Sequence, residues 1–379
     1  MSTKINISRN GLSLIGPFAF EKCNKTEILD LSFNNLSKLY SKSFYGMIKL
    51  SILDLSRNQI GQMESDVLSD LNLLSTLNLG NNYLRYLGRD IFKDLVELQS
   101  LNLGLNQIES IEKFTFKNLR KLGKIILKNN NLKSLEPLFF NLSSFYFLDI
   151  SSNQIKFVHN DTFNLLSRLS TILISFNQIS ELNSETFKGA VNLEKLDISF
   201  NRIQKIDSNF SNKFPNLREL AFSENNLSFI EPGLFNGFVK LESLNLYKCN
   251  IKAIDLSSLS NLKLLQLANN QIKFFSQNLS LLTDLILSYN QLSNLSYPLI
   301  TSKNSNLVML GLSFCQLKYV DFDLFRNFFN LRSLGIAGTL FILSNDTFSG
   351  FKNLKHVNVL KNDVDRFKFI YPNISFVGF

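Results

Sequence analysis

The sequence predicts an α/β-type solenoid. This is a curved horseshoe of stacked coils, with a parallel β-sheet on the concave face and mostly loops or short 3-10 turns on the convex face. Two observations predict it. The pattern L-x-x-L-x-L-x-x-N-x-L returns about every 24 residues, as at Leu196, Ile198 and Asn201 and again at Leu220, Phe222 and Asn225. A second column, built mostly of Phe, recurs ten residues after the pattern Asn.

Each coil contributes a strand of about four residues, whose side chains at L-x-L point inward while their neighbours face solvent. One coil cannot bury its own apolar face, so the coils stack and share a continuous apolar column. The Asn after the strand carries both an acceptor and donors, which suits backbone N–H and C=O groups left over in the turn. In order, this ladder runs Asn10, Asn34, Asn58, Asn82, Asn106, Asn130, Asn153, Asn177, Asn201, Asn225, Cys249, Asn270, Asn290, Cys315, Thr339 and Asn362. That is about sixteen coils in a single domain over residues 1–379. Steps are 24 residues almost throughout; the segment near 249–315, with steps of 21, 20 and 25, is irregular.

The second column reads Phe20, Phe44, Phe92, Phe116, Phe140, Phe163, Phe187, Phe235 and Phe325, with Leu68 once. Rings at one register suit a wide, loop-built convex side where Leu alone would leave voids, so this column is core packing. Three cysteines make no disulfide framework. Cys249 and Cys315 replace ladder Asn, and Cys23 lies where other coils carry Met47 or Phe214; all three read as buried structural thiols. The chain opens on a strand at Ile5 and Ile7 and closes on another at Ile374 and Phe376, with no recognisable Cys-rich caps. End coils of this kind leave an apolar face or strand edge uncovered. The expectation is an excerpt of a longer protein, or ends covered by a partner.

Catalytic chemistry is not expected. The two histidines, His159 and His356, lie in coils far apart, and no hydrolase, phosphate-cradling or dinucleotide motif occurs. No metal-ligand set and no cofactor are indicated. Asp30, Asp54, Asp149 and Asp197 share one outward row, where neighbouring strands stand about 4.8 Å apart. Asn78, Asn102, Ile126 and Leu173 interrupt that row, which reads as a solvated polar face. Net charge is +9, from 40 basic and 31 acidic residues. Lys113, Lys117, Arg120, Lys121, Lys124, Lys128 and Lys133 form a run without acid, with Lys124 and Lys128 on the concave face. It reads as a solvated flank or as a patch for a polyanion such as a glycosaminoglycan or nucleic acid.

Outward strand positions are free of the packing that fixes the motif, so ligand recognition is expected there. Phe176 and Phe200, joined by Leu173 with Tyr146 and Phe147 one strand away, make one apolar cluster. Tyr247, Ile286, Tyr289, Met309 and Phe314 make a second, in the irregular part. Contiguous exposed aromatics are what protein interfaces are enriched in.

Repeats such as LDLSFNNLSKLYSKSFYGMIKL (Leu29 to Leu50) and LDISFNRIQKIDSNF (Leu196 to Phe210) resemble the typical, 24-residue, Phe-containing class of leucine-rich repeat. That class includes Toll-like receptor ectodomains, Slit-type proteins and chaoptin-like adhesion proteins. The resemblance implies a non-enzymatic, extracellular or cell-surface module that binds a protein ligand on its concave or lateral surface. Eleven N-x-[ST] sequons occur, Asn35, Asn141, Asn160, Asn226 and Asn345 among them, and would carry glycans in such a protein. The N-terminus shows no secretory signal, and no apolar run approaches the ~18 residues of a membrane span. Membrane attachment would therefore come from segments outside this chain. The rival expectation is a cytoplasmic scaffold or regulatory subunit that docks an enzyme.

Overall fold

Only the L-x-L heart of the motif alternates cleanly between core and solvent, and the strands of the long ladder before residue 356 are accordingly three residues long rather than four. The computed structural model describes residues 3–231, 233–302, 305–325 and 327–379. In Ile28–Asp30, Leu29 is fully buried between two half-buried neighbours, and Leu31 beyond it returns to the core. The chain forms two compact units, Met1–Ile179 with Ser184–Lys195, and Ser180–Asn183 with Leu196–Phe379.

Each unit is a parallel-strand solenoid. In the first, the strands Lys4–Asn6, Ile28–Asp30, Ile52–Asp54, Thr76–Asn78, Ser100–Asn102, Lys124–Ile126, Phe147–Asp149 and Thr171–Leu173 pair each with the next, Leu against Leu or Ile. In the second, Glu219–Ala221, Ser243–Asn245, Leu264–Gln266, Asp284–Ile286, Met309–Gly311, Ser333–Gly335, His356–Val359 and Ser375–Gly378 pair likewise, Leu against Leu up to Leu334, which meets Val357, itself against Phe376. Pairing is parallel because every coil returns the chain to the same starting edge. A narrower ladder, which the motif does not announce, joins two-residue strands in couples. Lys38–Leu39 pairs with Gln62–Met63, Tyr86–Leu87 with Ser110–Ile111, and Ser134–Leu135 with Phe157–Val158.

The Asn ladder has the expected chemistry. Asn58 donates to Leu31 O of the preceding coil and to Leu55 O of its own, both at 3.0 Å, and its Oδ1 accepts from Leu36 N–H at 3.1 Å. Asn82, Asn106, Asn130, Asn153, Asn177, Asn225, Asn270 and Asn290 repeat this bridge. Asn34 bridges back to Ile7 O at 2.8 Å, and Asn201 holds Ile198 O at 3.0 Å in its own coil. At the two substituted rungs a thiol replaces the amide. Cys249 donates to Phe222 O at 3.3 Å and Cys315 to Leu287 O at 3.0 Å. The acceptor lost at Cys249 is replaced by its own backbone carbonyl, which receives Leu227 N–H at 2.8 Å. Asn362 is not a rung: it is exposed in the 3-10 turn Lys361–Asp363, because the chain there turns into the helix Val364–Ile370.

The ring column corrects one expectation. Phe20 stacks on Phe44, and Phe92 on Phe116, each pair with centroids 6.1 Å apart. The next ring is Phe139, not Phe140: Phe139 is buried and lies 6.2 Å from Phe116, while Phe140 is only half-buried. This coil is one residue shorter than its neighbours, so counting from the ladder overshoots the core by one. Phe163 and Phe187 resume the stack at 5.4 Å. Cys23 is also a correction, being half-buried rather than buried. Among the described residues its coil is packed on one side only. The last coil is filled by Phe348, Phe367 and Phe376, with centroids 5.0–5.6 Å apart, and Phe367 is supplied by the unforeseen helix.

Candidate partner-binding surface

The residue just before each rung, expected on the flat strand face, stands on the turn beyond it. Its backbone is left-handed, with φ of 55° at Phe33 and Phe176, 53° at Phe200 and 58° at Tyr289 and Phe314. The chain bends here so that the following Asn can reach back to the neighbouring coil. Asn81, Asn129, Asn269 and Gly338 take this conformation readily, whereas an aromatic residue does so at about 1–2 kcal/mol. The large side chains are thereby lifted off the sheet into solvent as a row along its rim.

The second aromatic cluster lies wholly within the second unit. Tyr289 and Phe314, on successive coils, stack with centroids 4.8 Å apart and planes 16° from parallel. Half of the Tyr289 surface is exposed (50%), as is 40% of Met309; Tyr247, Ile286 and Phe314 are half-buried beside them. Gly338, the next residue of the row, makes this possible. A Cβ there would stand 2.4 Å from Phe314 Cδ1, so the ring can lie flat only against a glycine. Gly311 does the same for Ile286, its would-be Cβ meeting Ile286 Cγ2 at 3.2 Å. The signal was a glycine in a row otherwise held by larger residues.

The first cluster falls on both units: Tyr146, Phe147, Leu173 and Phe176 belong to one and Phe200 to the other. Tyr146, Phe176 and Phe200 are exposed at 50, 52 and 40%. Phe147 lies under the Lys124 ammonium, 4.9 Å from its ring centroid, and Leu173 is half-buried.

The basic run is not gathered on one face. Lys124 and exposed Lys128 belong to the sheet side, while Lys113, Lys117, Arg120 and Lys121 lie on the turns opposite it. Lys121 is paired with Glu97 at 2.5 Å, and Lys113 sits over Phe114 and Phe140. Asn35, Asn141, Asn160, Asn226 and Asn345 are all exposed. The outward Asp row is accounted for locally: Asp30 and Asp54 each accept the N–H two residues on, at Ser32 and Ser56.

No group of His, Cys, Asp and Glu that could hold a metal occurs among the described residues. Burial pushes the Cys249 and Cys315 thiols up to about 12, so neither is a nucleophile near neutrality. The cavities went unseen in the sequence. A groove of about 560 Å³ lies between Gln62–Met63 and Tyr86–Leu87, which belong to different couples of the narrow ladder. Lys38 and Glu64 pair across its rim at 2.8 Å, and the Tyr86 hydroxyl donates to Glu112. The Lys38 ammonium and the Ser41 N–H hold the Glu64 carboxyl below the usual carboxylate range.

Among solved structures, a leucine-rich repeat protein of Leptospira interrogans is 24% identical and superposes with a TM-score of 0.84, over 98% of this chain and 95% of that one. A chain of the Toll–Spatzle complex of Drosophila is 20% identical over 94% of this chain and 50% of its own, at TM-score 0.69. The functional domain of InlJ from Listeria monocytogenes, which includes a cysteine ladder, is 19% identical over 94% and 72%, at 0.67. At these identities the likeness is one of fold. Comparison with functionally curated proteins gives no match. A BspA type leucine rich repeat region matches residues 302–370. The leucine rich repeat model itself matches residues 3–60, 48–108, 97–155, 143–203 and 191–251, and with the ladder, the ring column and the parallel sheet this places the chain in the leucine-rich repeat family.

Proposed function

We propose that the protein is a non-enzymatic recognition scaffold of a cell-surface receptor or adhesion protein, binding a protein ligand on the sheet face and its rim. The observation that carries this reading is the Tyr289–Phe314 platform. Two rings held left-handed, stacked and half in solvent cost folding energy that core packing does not recover. Flat exposed aromatics of this kind are the anchors of protein interfaces. The exposed sequons support a secreted placement. Among the described residues no helix is long and apolar enough to cross a membrane. The rival, a scaffold inside the cell, draws support from the three free cysteines.

The test uses the biotinylated chain, tetramerised on streptavidin and applied to intact cells. The wild type should bind, and the Tyr289→Ser, Phe314→Ser double variant should lose binding with an unchanged circular dichroism spectrum. Undiminished binding by that variant removes the platform from the site. Glycan occupancy of the chain secreted behind a signal sequence decides placement: empty sequons and a misfolded product favour the rival.

A further inference from the structure

The rim row begins with an arrangement the aromatic clusters do not contain. Arg9, Phe33 and Arg57 occupy the same left-handed position in three successive coils, with φ of 58°, 55° and 56°. The Arg9 guanidinium carbon is 4.3 Å from the Phe33 ring centroid and that of Arg57 is 4.8 Å from it. Coming from the coils on either side, the two cations sandwich the ring. Their carbons therefore stand at most about 9 Å apart. All three side chains are exposed, Phe33 at 41%.

Neither guanidinium has a side-chain hydrogen bond or an ion pair with a described residue. Elsewhere in this row the protein neutralises such charge: Lys248 and Glu224, on adjacent coils, pair at 2.9 Å. At Arg9 and Arg57 the place an acid would take is filled by a ring, which shields the two like charges from each other and presents their N–H edges to solvent. The carboxylates of the paired strands Ile28–Asp30 and Ile52–Asp54 are engaged. Asp30 accepts Ser32 N–H, and Asp54 accepts Ser56 N–H and an Asn78 amide N–H. A stacked guanidinium keeps its in-plane donors, whose fork geometry matches a carboxylate.

We propose that Arg9, Phe33 and Arg57 form a receptor site for an acidic peptide segment in extended conformation, with one carboxylate on each guanidinium. On an extended strand, residues two apart point the same way and lie about 6.6 Å apart. Glutamate stems make up the difference to the cation spacing. The segment is thus of the form Glu-x-Glu, its central backbone lying over the Phe33 ring. The site lies in the first unit and does not rest on the Tyr289–Phe314 platform.

The test is fluorescence anisotropy of a fluorescein-labelled hexaglutamate peptide with the whole chain, at about 0.15 M ionic strength, where screening acts beyond about 8 Å. Arg9→Gln and Arg57→Gln should each weaken binding about tenfold. Arg9→Lys with Arg57→Lys should recover only part of the double Gln loss, because an ammonium makes no fork. Phe33→Leu, which keeps both charges, should weaken binding severalfold. Lys252→Gln with Lys273→Gln, exposed in the second unit, should change nothing. The proposal falls if the folded double Gln variant binds as tightly as wild type. It falls equally if the Lys252, Lys273 variant loses as much, or if inorganic phosphate displaces the peptide at equal concentration.

Discussion

Replacing Asn130 by Ala removes a side chain that joins two coils at one point. The amide donates to Leu103 O at 3.0 Å and Leu127 O at 2.9 Å, and its carbonyl accepts from Ile108 N–H at 2.8 Å. All these backbone groups are buried, but Leu103 O keeps the Asn106 amide and Leu127 O keeps the Asn153 amide, each at 3.0 Å, so only the Ile108 N–H is left without a partner, at about 1–3 kcal/mol. The two amide hydrogen bonds lost at those carbonyls add about 0.5–1.5 kcal/mol each before water entry offsets part of it, for a total of about 3 kcal/mol. Cys249→Ala at an equivalent rung loses only a thiol bond at 3.3 Å, since Leu227 N–H already bonds the Cys249 carbonyl. That change should cost about 1 kcal/mol. The chain has no Trp, so urea unfolding is followed by far-UV circular dichroism. Amide hydrogen exchange at Ile108 reports the local effect, and its protection should fall in the Asn130 variant alone. The reasoning is refuted if Asn130→Ala costs no more than Cys249→Ala, or if Ile108 exchange is unchanged.

Three further outcomes follow from the packing. Phe139→Ala should destabilise by about 3–5 kcal/mol and Phe140→Ala by about 1 kcal/mol, checked by the same urea midpoints; the reverse order would restore the ring column counted from the ladder. Gly338→Ala puts a methyl group where the Phe314 ring lies and strains a backbone at φ +70°, so it should cost about 1–2 kcal/mol and reduce cell binding although no exposed side chain is removed. Iodoacetamide at about pH 8 should label Cys23 and spare Cys249 and Cys315 until urea unfolds the chain, as quantified by mass spectrometry. Because the folded thiol values rise from 9.0 to about 12, their contribution to stability is intact below pH 9 and is lost as pH climbs toward 12.

The spacing of Leu and Asn by itself determined the coil, the parallel sheet, the inward seam and the ladder. Strand alternation and coil stacking leave no other way to bury a side chain that recurs every 24 residues. Its cysteine substitutions were legible for the same reason: Cys249 and Cys315 stand at rungs. What happens between coils was not legible, because those contacts join residues a whole period apart and depend on backbone angles that side-chain types do not declare. Phe139 rather than Phe140 enters the core because a coil one residue short rotates its last ring position. The aromatic row was expected on the flat sheet, but the bend needed to bring Asn to the neighbouring coil turns it left-handed and out over the rim. Gly338 beneath Phe314, and Phe33 between Arg9 and Arg57, are ordinary letters in the sequence. They become parts of a surface only when consecutive coils set them side by side, and that proximity is a property of the stacked solenoid alone.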